Sequence, residues 1–190
     1  MNSNPSNMIP GLEDLNIEFF VNEQNELKVI HNGKCTDFKD LDDRVVDNLF
    51  VIMYKDKVAY KSIIEDLNIS DPISQIEQYI RCCCPVINTT PDLDLSNAFK
   101  KEVWDCPLRD TCKSNGKVCA YIAGPNGTLT PKETKVYFLT CRGLFDKEIA
   151  EATGCTVNTI DVHQRSIRHK LSLNNRVECI LHAVKAGIKV

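Results

Sequence analysis

The last third of the chain carries helix start and stop signals so closely spaced that they specify a string of short capped helices. Thr130 is a good N-cap, Pro131 sits at the first helical position and Glu133 completes a capping box. Val136, Leu139 and Thr140 recur on one face of this helix, and Gly143 is placed to stop it. Asp146 is read as the cap of a second helix, with Ile149, Ala150 and Ala152 inward and Gly154 at its end. Thr156 caps a third helix running to about Leu171, and an apolar helix ending near Ala186 follows. Two short helices, a three-residue turn and a longer polar helix are what a helix-turn-helix requires to bind DNA.

The same residues spell a recognisable pattern. Leu129-Thr130-Pro131-x-Glu133 is followed by Lys147-Glu148-Ile149-Ala150, then Thr159-Ile160 with His163, Ile167-x-x-Lys170-Leu171 and Asn175-Arg176-x-Glu178. Spread over four helices at these spacings, the pattern resembles the LuxR-type helix-turn-helix domain of bacterial transcription regulators, with Ile160 in place of the usual Val. The resemblance covers about a third of the 190-residue chain. It implies that the third helix enters the major groove with its early exposed positions against base edges. Those positions are Asp161, Val162 and Arg165, with Asn158 and Thr159 near the helix start. Arg165 can read guanine with two parallel hydrogen bonds, and Val162 can meet a thymine methyl. Lys147, Thr156 and Thr159 are candidates for phosphate contacts, which position without reading sequence. Asp161 departs from the family, which commonly has a basic or polar residue there. A carboxylate repels phosphate but can accept from the cytosine amine. Val177, Ile180, Leu181 and Val184 form a stripe on the last helix that is expected to be mostly core. In the family this helix commonly pairs two copies on DNA, so its exposed part is a candidate homodimer surface. RNA polymerase is a further expected partner of such a regulator.

Charge follows the same division. Residues 130–190 hold ten Lys/Arg against six Asp/Glu, whereas residues 1–129 hold thirteen against twenty. A basic module joined to an acidic one suits a double-stranded DNA binder whose other half does not touch phosphates. No apolar run approaches the roughly 18 residues of a spanning helix. The first residues lack the basic and apolar regions of a signal peptide, so no membrane partner and a cytoplasmic location are expected.

The N-terminal half reads as a mixed α+β domain. Ile17–Val21 and Leu27–Ile30 flank the polar Asn22–Asn25, a β-hairpin pattern. From Asp42 the period becomes helical through Val45, Val46, Leu49, Phe50 and Met53. A second helix is expected from about Asp56 to Leu67. A third is capped by Asp71, with Ile73, Ile76 and Ile80 along one stripe. The fold class is therefore mainly α with a small N-terminal β-hairpin, ahead of a four-helix LuxR-type helix-turn-helix domain. The expected boundaries are a flexible tail at 1–11, a Cys-rich domain at 12–119, a linker at 120–128 and the DNA-binding domain at 129–190.

Six cysteines crowd into 38 residues: Cys82, Cys83 and Cys84, then Cys106, Cys112 and Cys119. The last three lie in a polar segment with little apolar material beyond Trp104, Leu108 and Val118. A thiolate cross-link is the natural stabiliser for it, and a reducing compartment disfavours disulfides. Four thiolates make a closed structural zinc site, and the same donors suit an iron–sulfur cluster. Cys106, Cys112 and Cys119 supply three. Helical phase turns Cys83 and Cys84 toward the Ile stripe, which favours Cys82 as the fourth and leaves Cys84 as the alternative. Ordinary buried thiols remain the plain reading, and it is preferred for Cys141, Cys155 and Cys179. An enzyme is not expected: there is no Cys-x-x-Cys, and His31 is the only histidine before Leu129. A redox-sensing iron–sulfur regulator and a protein-interaction module weakened toward DNA by Asp161 are the competing functions.

Overall fold

The computed structural model describes residues 8–188, which form two compact units. The first runs to Glu102 and returns for Gly116–Ala120; the second comprises Val103–Asn115 and the chain from Tyr121 onward. Most of the expected N-terminal tail, residues 1–7, lies outside the described residues. No helix among the described residues is long and apolar enough to cross a membrane.

In the first unit, β1 (Ile17–Val21), β2 (Leu27–His31) and β3 (Lys34–Asp37) form an antiparallel sheet in that order. The expected hairpin is β1–β2, with Phe19 opposite Val29 and both fully buried. Nothing in the apolar pattern announces β3, because Lys34, Cys35 and Thr36 are all exposed. Its signal is Asn32-Gly33 at φ 50° and 72°, a dipeptide whose left-handed backbone matches strand twist in a two-residue turn.

Asp42, Asp56 and Asp71 accept from the backbone N–H of Arg44, Ala59 and Ser74. They thereby cap α1 (Asp43–Lys55), α2 (Lys57–Glu65) and α3 (Pro72–Cys83). Leu49, Met53, Ile63, Ile76 and Ile80 join Phe19 and Val29 in one core. The expected stripe on α3 needs correction at Ile73, which is 51% exposed. Gln75 is buried in that turn instead, donating to the carbonyls of Ile69 and Ser70 at 2.9 and 3.3 Å. An apolar side chain there would leave those acceptors without these partners.

The second unit contains α4 (Pro131–Cys141), α5 (Asp146–Thr153), α6 (Val157–Leu171) and α7 (Arg176–Lys185). Leu129, Val136, Tyr137, Phe138, Ile149, Ile160, Ile167 and Leu171 make its core. Where the sequence reads as a linker, β4 (Ala123–Gly124) and β5 (Gly127–Thr128) pair as a small hairpin that caps α6. The Asn126 backbone N–H donates to Lys170 O at 3.0 Å, and its side chain donates to His169 O at 2.8 Å. These bonds satisfy carbonyls that the end of a helix leaves open. Residues 103–115 are ordered without an apolar core of their own. The buried Arg109 guanidinium donates to Trp104 O at 2.8 Å and to Asn115 Oδ1 at 3.4 Å. Asp105–Arg142 and Asp110–Lys135 ion pairs, both 2.8 Å, fasten the segment to α4 and its end.

Further helix readings differ from expectation: Ala152, expected inward on α5, is exposed, and Ile180, expected in the core on α7, is half-buried. Asp146 does not cap α5 but opens it, and the cap position is Phe145, whose N–H donates to Glu148 Oε2 at 2.6 Å. The Asp146 carboxylate instead accepts from Gln164 of α6 at 2.8 Å. On α7 the stripe of Val177, Leu181 and Val184 is exposed at 63, 49 and 70%, while Cys179 and Ala183 are buried. Small residues let α7 sit close against α4, where the Tyr137 hydroxyl reaches Cys179 O at 3.2 Å, and this turns the larger side chains outward.

One carboxylate ties the helices together. Thr130 and Glu133 form the expected capping box, with Glu133 accepting from the Thr130 N–H at 2.7 Å. The same side chain accepts from Lys170 Nζ at 2.7 Å and Ser166 Oγ at 2.6 Å, both on α6. Burial pushes the Glu133 carboxyl up, but the bonds from Lys170, Ser166 and Thr130 outweigh it and bring it from 4.5 down to about 2. A depressed carboxyl contributes its full stability above the unfolded value and loses it as pH falls through the folded one. Glu133→Gln is therefore expected to cost about 2–3 kcal/mol at neutral pH, measured by denaturant unfolding. The gap to wild type should close between 4.5 and about 2. Gly124→Ala is expected to destabilise the same unit by about 1–3 kcal/mol. The added Cβ would fall 2.5 Å from the Lys170 carbonyl oxygen and 2.6 Å from the Leu171 Cα.

Candidate nucleic-acid interface

The interface is built around the turn between α5 and α6. Gly154 ends α5 in the left-handed region at φ 67°, which favours a residue without a Cβ. Thr156 then caps α6, its Oγ1 accepting from the Thr159 N–H at 3.1 Å and lying 2.9 Å from the Thr159 hydroxyl. Both threonines were expected against phosphate; here their hydroxyls also hold the turn. Behind them, α6 buries Ile160, Ile167 and Leu171 on one side. Its opposite side carries Asn158, Val162 and Arg165 exposed, with Asp161 and Thr159 half-exposed along the edge. Lys147 is exposed in the first turn of α5. Of the residues named for base and phosphate contact, Thr156, Asn158, Thr159, Asp161, Val162 and Arg165 thus lie at the start and along the outward side of α6, and Lys147 lies in the first turn of α5.

One relation among them was missed. Arg165 Nη2 donates to Asp161 Oδ2 at 2.8 Å, an ion pair between side chains 63 and 50% exposed. The signal was available, because residues four apart on a helix are neighbours. The end of the pattern is structural. Asn175 caps α7 by accepting from the Glu178 N–H at 3.0 Å, and Arg176 donates to the carbonyls of Thr140 and Leu144.

The cysteines have several fates. Cys83 and Cys84 are fully buried, their thiols directed to Val118 O at 3.5 Å and Lys100 O at 3.4 Å. Cys82 is half-buried and hydrogen-bonded with Cys119, and that bond together with burial pushes its thiol up. These lie in the first unit, whereas Cys106 and Cys112 are half-buried in the Arg109 loop of the second. Cys141 and Cys179 are buried and Cys155 is half-buried in the second unit. A cluster that sequence reasoning did not find joins Glu18, Asp92 and Glu102, whose carboxylates lie within 4.8 Å of one another. Burial, with the charges of Glu18 and Glu102, pushes Asp92 up to about 9, so it is protonated at neutral pH. The sites are far apart in sequence and no local pattern links them.

Comparison with known proteins brings in relatives and a family. Two curated relatives match. The tetrathionate response regulatory protein TtrR of Salmonella typhimurium is 36% identical over 52 residues, 27% of this chain and 25% of its own length. The transcriptional regulatory protein MctR of Rhizobium johnstonii is 35% identical over 60 residues, 32% of this chain and 28% of its own. The chain therefore spans about a quarter of the length of these relatives. No solved structure matches the chain. Residues 127–183 match the family described as bacterial regulatory proteins, luxR family, and this segment is a LuxR-type helix-turn-helix domain.

Proposed function

We propose that the chain is a sequence-specific DNA-binding transcription regulator, acting in the cytoplasm on double-stranded DNA and without a catalytic step of its own. The observation that carries this reading is the outward side of α6, where Asn158, Val162 and Arg165 stand exposed over the buried Ile160, Ile167 and Leu171. The four helices α4–α7 act as one unit that delivers α6 to the major groove. Arg165 reads a guanine and Val162 contacts a neighbouring base, while Lys147, Thr156 and Thr159 face phosphates. Asn158 lies at the helix start, beside the backbone. The relatives named as regulatory proteins support the same reading.

Sites selected from random duplex DNA test it. Arg165→Ala is expected to cost about 1–3 kcal/mol on the selected site and to relax the preference at one base. Lys147→Ala should weaken all sequences alike and lower the salt slope by about one. Equal binding by Arg165→Ala and wild type would show that α6 is not the reading helix.

The exposed stripe of Val177, Leu181 and Val184 on α7 supports pairing of two copies on a partly palindromic site. Leu181→Glu is expected to lower binding cooperativity while the thermal transition stays in place. RNA polymerase is the further partner of this reading. The four-cysteine metal site is proposed from the sequence: thiolates of Cys82, Cys106, Cys112 and Cys119 match the donor set of structural zinc, and an iron–sulfur cluster is the alternative occupant. Metal analysis of protein purified without oxygen should return one zinc per chain. A brown chromophore would assign iron–sulfur, and protein with no metal would remove the site.

A further inference from the structure

We infer that Asp161 is a positioning residue for Arg165, so that the two form one guanine-reading unit on α6; this rests on the DNA-binding reading above. Arg165 Nη2 donates to Asp161 Oδ2 at 2.8 Å, across one helical turn on the exposed side. A guanidinium presents five N–H donors in a planar fork, and each terminal nitrogen carries two hydrogens. One Nη2 hydrogen directed to Asp161 leaves the other, paired with one from Nη1, to meet O6 and N7 of a guanine side by side.

The pair changes what Arg165 does in two ways. An unpaired arginine on an exposed helix face samples many rotamers and reaches phosphates as readily as bases. A carboxylate one turn earlier narrows that range, so less rotamer freedom is lost when the base contact forms. The carboxylate also offsets the cation in general attraction to the DNA backbone. Sequence-independent affinity is thereby reduced while the directed contact is kept, and discrimination between sites rises. Asp161, which taken alone is a repulsive charge at a DNA surface, becomes part of the reader. Its nearest charged partner on α6 is Arg165; Glu133 and Lys170, the other charged pair involving this helix, are joined on its inner side.

The test measures site preference rather than affinity alone. Wild-type protein, Asp161→Ala, Asp161→Asn, Arg165→Ala and the Asp161→Ala/Arg165→Ala double variant are each used for selection from random duplex DNA, with folding checked by circular dichroism. Asp161→Ala should bind non-specific DNA more tightly, with a salt slope steeper by up to about one. Its guanine preference at the position read by Arg165 should fall by roughly two- to fivefold. Asp161→Asn, which keeps an acceptor without the charge, should recover part of that preference. In the Arg165→Ala background the Asp161 change should add nothing at that position. A wild type that enriches no sequence overturns the DNA-binding reading itself. A wild type that enriches a site while Asp161→Ala keeps its full guanine preference overturns the pairing role alone. Loss of a cytosine preference in Asp161→Ala, independent of Arg165, would assign Asp161 to direct base contact and also overturn it.

Discussion

Glu133 accepts hydrogen bonds from Thr130, Ser166 and Lys170, and through them one buried carboxylate holds the start of α4 against the inner side of α6. That grip sets how α6 sits on α4. The outer side of α6 is largely polar and gains nothing from burial within the chain, so the helix is oriented from behind. Ile160, Ile167 and Leu171 supply non-directional burial there. The Glu133 bonds supply direction, and Gln164 to Asp146 adds a second fixed point toward α5. The hairpin at 123–128 completes the arrangement by closing the far end of α6.

Other charged residues of the unit differ in what engages them. Arg109 and Arg176 are turned to backbone carbonyls and order a loop and a helix start. Arg165 faces outward and is met by a carboxylate on its own helix. A high count of basic residues would suggest a uniformly attractive surface, yet several of these cations are already engaged within the fold. The net positive charge of the module still favours approach to a polyanion.

The first unit buries acids as well as thiols. Asp92 accepts from the Phe19 backbone N–H at 2.7 Å and is held protonated by burial and by its neighbours Glu18 and Glu102. Cys83 and Cys84 behave as core residues that also satisfy backbone carbonyls. Cys82, one position earlier on the same helix, is half-buried and meets Cys119. Three adjacent cysteines thus divide between packing and a thiol pair, Cys82 and Cys83 by their phase on α3 and Cys84 at the position that ends it.

Local chemistry settled a good deal by itself. Thr130, Glu133, Thr156 and Asp71 were legible as caps because a capping side chain bonds within three residues of itself. The turn at Gly154 and the β1–β2 hairpin were legible for the same reason of short range, and Asn32-Gly33 held the signal for β3. The named α5 and α6 residues followed from helical spacing once the family pattern was in view. What the sequence left open required knowing which faces meet. The outward stripe on α7 and the docking of 123–128 on α6 each depend on a neighbour distant in the chain. So do the Glu133 grip and the joining of Glu18, Asp92 and Glu102. Periodicity states that a helix has an apolar side, but volume decides which side: Cys179 and Ala183 are small enough to lie against α4, and Val177, Leu181 and Val184 are left facing solvent.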